Sequence, residues 1–67
     1  MALTEQEKAL EAVRRLAKSM KCRRFFAEGR KYRRVGFRCD GQWLTGVGDT
    51  WKEALVELDR KTKELAR

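Results

Sequence analysis

The sequence predicts an α+β domain in the order helix, three antiparallel strands, helix, with both helices on one face of the sheet. Three observations carry this. An apolar stripe at helical spacing covers residues 9–20, and a second begins at residue 54. Between them lies a middle rich in Phe, Tyr, Val and Arg, punctuated by glycines at 29, 36 and 41. The 67 residues are expected to form a single domain spanning 1–67. A chain of that size buries only roughly 60% of the surface its unfolded form exposes, so a deep substrate cleft is not expected.

The first helix starts at a capping box, Thr4-Glu5-Gln6-Glu7. There the Thr4 hydroxyl accepts from the Glu7 backbone N–H and the Glu7 carboxylate reaches back, with Leu3 in the staple position. Ala9, Leu10, Val13, Leu16, Ala17 and Met20 form its core stripe. Residues 21–27 and 31–39 then read as strands, with the turn between them placed at Glu28-Gly29-Arg30. Phe25 and Phe26 point to opposite faces, and the sequence leaves open which is core. Asp40-Gly41 is the strongest local signal, because a two-residue type I′ hairpin needs positive φ at both positions. That turn pairs Cys39 with Gln42, Arg38 with Trp43, Phe37 with Leu44, Gly36 with Thr45 and Val35 with Gly46. One face then carries Val35, Phe37 and Leu44; the other carries Tyr32, Arg34, Arg38, Trp43 and Thr45. The last helix starts at Asp49-Thr50, places Trp51 in its first turn, and buries Ala54, Leu55, Leu58, Thr62 and Leu65.

With two amphipathic helices covering the apolar face of a three-stranded sheet, the other face is left in water. Charge is concentrated there. The formal net charge is +7, and residues 21–48 hold eight Lys or Arg against two acids, so nearly all the excess lies in the strands. Six of those eight are Arg, whose planar fork binds phosphate bidentately and stacks on rings. Arginines interleaved with exposed aromatics are the recipe for single-stranded nucleic acid, and equally for a protein hot spot. In the first reading Arg34 and Arg38 contact phosphate and Tyr32 and Trp43 stack, while Arg23, Arg24, Arg30, Lys31 and Arg33 extend the positive field. In the second, the same residues anchor the chain on an acidic protein surface.

Composition removes most enzyme classes, and no catalytic activity is expected. The chain has no histidine, so acid–base or nucleophilic chemistry would have to run on Cys, Lys or carboxylates, and no base stands at a useful spacing from either cysteine. Gly46 and Gly48 lack the Gly-Lys-Ser/Thr of a phosphate-binding loop. No cofactor, metal or small-molecule substrate is expected. No apolar run approaches the ~20 residues of a membrane span, and no cleavable leader is expected at the start. Cys22 and Cys39, without a CxxC, are expected to be reduced structural thiols, since the first hairpin's turn puts them far out of register. A cytoplasmic protein without a membrane partner follows.

Gly46-Val47-Gly48-Asp49-Thr50-Trp51-Lys52-Glu53-Ala54 resembles the junction between the third strand and second helix of double-stranded-RNA-binding domains, which reads roughly G-x-G-x-S-K-K-x-A and belongs to the same element order. The resemblance implies an RNA contact at Lys52. Trp51 stands where that family has a lysine, and the basic surface lies on the strands instead. Gly48-Asp49-Thr50-Trp51-Lys52-Glu53-Ala54-Leu55 is also similar to the strand-to-helix junction of HicB-type antitoxins. DNA-reading three-stranded sheets of the plant transcription-factor and integrase types offer a third likeness. Small charged domains without catalytic residues also resemble phage inhibitors such as anti-CRISPR proteins, which implies steric blockade of a protein partner as the alternative to nucleic-acid binding.

Overall fold

In the computed structural model, which describes residues 3–65, the order is α1 (Glu5–Ser19), β1 (Arg24–Gly29), β2 (Arg33–Cys39), β3 (Gln42–Gly48) and α2 (Trp51–Leu65). The capping box closes as expected: Thr4 Oγ1 accepts from Glu7 N–H at 3.1 Å, and Thr4 N–H donates to the Glu7 carboxylate at 3.1 Å. Of the α1 stripe, Ala9, Val13 and Ala17 are buried and Leu16 and Met20 pack against them, but Leu10 is exposed on the helix flank. In α2, Ala54, Leu58 and Thr62 are buried, the Thr62 hydroxyl donating to the Leu58 carbonyl at 2.8 Å. Leu65, expected in that stripe, is exposed at the last position of α2.

The sheet is antiparallel in the order β1-β2-β3. Asp40 and Gly41 take φ of 54° and 79°, the type I′ signature, and the β2–β3 register is the one that turn dictates. The first hairpin differs from expectation. Gly29 pairs with Arg33, so the loop is Arg30-Lys31-Tyr32 and lies further along the chain than Glu28-Gly29-Arg30. Phe25 then opposes Phe37 on the helix side and Phe26 opposes Gly36 on the open side.

This register also overturns the expectation of two free thiols. Arg24 pairs with Arg38, which brings Cys22 and Cys39 together just past the end of the ladder. They are joined by a disulfide, their Cα atoms 5.4 Å apart. The cysteines therefore give no support to a reducing compartment. No described helix is long and apolar enough to cross a membrane.

Both helices lie on the Val35–Phe37 face, where those two side chains are wholly buried. The approach of α2 depends on Gly46: a Cβ there would run into the Ala54 carbonyl and come within 2.6 Å of the Leu58 amide. Gly46 and Gly48 are thus helix-docking positions. The helices also cover the sheet edges. Lys61 Nζ donates to the Thr45 carbonyl at 2.8 Å, Glu57 accepts from the Val47 N–H at 3.4 Å, and the two side chains pair at 3.2 Å. On the other edge Gln6 Nε2 donates to the Ala27 carbonyl at 3.1 Å. Helix side chains thus occupy polar groups on both outer strands, which makes those edges poorer templates for an added strand.

Candidate functional site: the open face of the sheet

Register arranges the open face in three rows across the strands: Arg24–Arg38–Trp43, Phe26–Gly36–Thr45 and Glu28–Arg34–Val47. The middle row is built around a missing side chain. A Cβ on Gly36 would lie 2.6 Å from the Leu44 carbonyl oxygen and 2.8 Å from the Phe26 ring, so the glycine admits both the close β3 backbone and that ring lying across the sheet. There Phe26 meets Trp43 edge to face, the ring centroids 5.5 Å apart and the planes at 69°. Trp43 keeps 49% of its surface in water and is the ring of the pair available to a ligand.

Arg34 is more committed than its expected role as a phosphate contact implies. Its guanidinium sits 5.2 Å above the Phe26 centroid and 3.5 Å from the Glu28 carboxylate. Its Nε is shielded from solvent with no acceptor. Arg34 and Glu28 form the wall between two hollows, one completed by Phe26, Trp43 and Thr45, the other by Arg30, Lys31 and Tyr32. The β1–β2 loop is thereby brought to the same face as the tryptophan.

The row at the opposite end differs. Arg24 and Arg38 are direct cross-strand neighbours, both exposed, and among the described residues neither pairs with a carboxylate. Like charges placed opposite one another destabilise a strand pair, and a shared anion would relieve the repulsion. The site is thus a track with two cationic ends, Arg24–Arg38 and Arg30–Lys31. They are separated by the seven residues of β2, about 20 Å of extended chain.

Two expected residues lie elsewhere. Arg33 points to the helix side and stacks 5.6 Å from the Trp51 ring, which also presses on Gly29. Lys52 stands on the first turn of α2, beside a groove lined by Glu5, Lys8 and Trp51 in the helix layer. Arg23 is exposed in the link between α1 and β1. The one acid in the track, Glu28, was not expected; its even position, shared with Phe26 and Arg34, is the signal that places it there. Among the described residues no cluster of acidic or sulfur ligands could hold a metal ion.

No family model, curated protein or solved structure matches this chain.

Proposed function

We propose that the chain is a non-catalytic nucleic-acid-binding module whose ligand lies along the open face of the sheet. The observation that carries this reading is the unpaired Arg24–Arg38 couple set in register beside the exposed Trp43. A base stacks on Trp43, and the adjacent phosphate takes both guanidinium groups. The backbone then runs past Arg34 toward Arg30, Lys31 and Tyr32. Single strands are favoured over duplex because a stacked ring needs an unpaired base with a free face.

The test is an anisotropy titration of single- and double-stranded oligonucleotides at two salt concentrations. Four phosphate contacts give a slope near −3 in log affinity against log salt, so a fourfold rise in salt weakens single-strand binding by about fiftyfold. Duplex binding is expected to be weaker at both salts. No binding of any oligonucleotide at low salt overturns the proposal and makes the face, with Trp43 and Arg38 as anchors, a docking patch for an acidic protein.

A further inference from the structure

The disulfide sits at one end of this track. Cys22 and Cys39 meet one step beyond the Arg24–Arg38 pair, where the β1–β2 ladder stops. The chain is delivered there by Lys21, which ends α1 with a φ of 60°, a conformation that non-glycine residues rarely adopt. At this end the last pair is two like charges, so the ladder alone resists splaying poorly. The Cys22 N–H is tied to the Ala17 carbonyl at 2.7 Å, and the covalent bond joins the two strand ends directly. Both sulfurs are half-buried and lie 3.3 and 3.7 Å from the Met20 carbonyl oxygen. If the bond were opened, that oxygen would stand within reach of each new S–H, and no donor would be orphaned. Val13, Val35, Phe37 and Leu58 are themselves wholly buried, and the two cysteines pack against that core from its margin.

We propose that the Cys22–Cys39 bond is a reversible redox latch on the anion-binding end of the sheet. Oxidised, it holds the Arg24 and Arg38 guanidinium groups side by side; reduced, it lets the ends of β1 and β2 part while the fold persists. The consequence for binding rests on the function proposed above, whereas the local opening does not. The exchange partner is a dithiol. One of its thiolates attacks a protein sulfur and forms a mixed disulfide, and the other sulfur of the pair leaves as a thiolate, next in sequence to Lys21 and Arg23 if it is Cys22 and to Arg38 and Asp40 if it is Cys39. The second thiol of the partner then displaces the protein, closing its own disulfide. Two electrons and two protons pass to the chain, leaving two thiols, and a disulfide oxidant reverses the step. Coupling is reciprocal: if the oxidised form binds an oligonucleotide about fivefold tighter, the bound oligonucleotide makes the latch about fivefold harder to reduce, a shift near 20 mV.

The experiment equilibrates the intact chain in graded reduced and oxidised dithiothreitol, counting thiols by alkylation mass. On each form it then measures amide hydrogen exchange and anisotropy of a single-stranded oligonucleotide. On reduction, protection is expected to fall over residues 24–26 and 37–39 and to hold at residues 34–36, helical circular dichroism to persist, and affinity to drop about fivefold. The double variant Cys22→Ser/Cys39→Ser should match the reduced form and ignore the buffer. Unchanged protection at residues 24–26, or two free thiols in oxidising buffer, overturns the latch whether or not any oligonucleotide binds. Equal affinities of the two forms overturn its regulatory role. A change in protection without binding in either form keeps the latch and removes the proposed function instead.

Discussion

The two faces of β2 alternate residue by residue and obey opposite rules. Val35 and Phe37 are sealed under the helices, while Arg34 and Arg38 flank them on the other side. On the sealed face every choice serves packing, down to a glycine at 46 that admits the α2 backbone. On the open face a glycine at 36 serves to lay down a phenylalanine, and two arginines oppose each other without an acid. Stability explains the first face and is worked against by the second. The Arg24–Arg38 pair, which costs stability with no acid beside it, is the ground on which a ligand is proposed for this face.

The sharpest way to break that contrast is to remove side chains from the sealed face. Phe37→Ala should cost about 3–5 kcal/mol through lost burial and an unfilled cavity. A domain of this length holds only roughly 3–10 kcal/mol in total. Urea titration followed by circular dichroism is expected to show the largest loss of midpoint of any single change, with the chain unfolded in buffer if the total lies at the low end of that range. Gly46→Ala acts by the opposite route, forcing a methyl group against the Ala54 carbonyl and Leu58 amide. It should cost about 1–3 kcal/mol, seen as an earlier urea midpoint with an unchanged slope.

On the open face the same operations should leave folding nearly untouched and act on binding. Trp43→Ala removes a half-exposed ring and is expected to weaken single-strand affinity by about 1–3 kcal/mol in the anisotropy assay. Arg38→Glu is the more revealing change, because its two effects have opposite signs. It turns the Arg24–Arg38 repulsion into a cross-strand ion pair, so the urea midpoint should rise by the equivalent of about 0.2–1 kcal/mol, while oligonucleotide binding is lost. An Arg38→Glu chain that melts earlier would mean that Arg38 supports the fold.

The contrast between faces was legible in the sequence to the extent that turn chemistry fixed the register. Asp40-Gly41 admits one geometry, and the β2–β3 pairs and the exposure of Trp43 and Arg38 followed from it. Glu28-Gly29-Arg30 carried no such constraint, since a lone glycine fits several loop lengths. In the structure Gly29 is in the strand because the Trp51 ring occupies the space where a side chain would go, a tertiary reason no local pattern displays. That slip hid both the choice of Phe26 and the approach of Cys22 to Cys39. Strand parity does carry Arg33 to the helix side. Its stacking on Trp51 required knowing where α2 begins relative to the sheet. Lys52 was assigned through the family resemblance, and it falls in the helix layer.

Acid should separate the two faces once more, with the smallest effect. Glu57 is held below the usual glutamate value of 4.5, chiefly by the Lys61 ammonium and then by the Val47 N–H. Glu7 is likewise lowered, by the backbone and then the hydroxyl of Thr4. Both carboxylates lose their proton more readily in the folded chain than in the unfolded one. The stability they add is therefore complete above the unfolded value and is lost as pH falls through the lowered ones. Thermal melts should be flat from pH 7 to 5 and decline below about 4.5, less steeply in Glu7→Gln and Glu57→Gln, whose melts start lower. These groups belong to the cap of α1 and the β3 edge, on the helix-bearing side. The sequence has no histidine to change charge between pH 5 and 8. Oligonucleotide affinity should accordingly be constant across that range, and a marked pH dependence within it would overturn a contact made by guanidinium and ammonium groups alone.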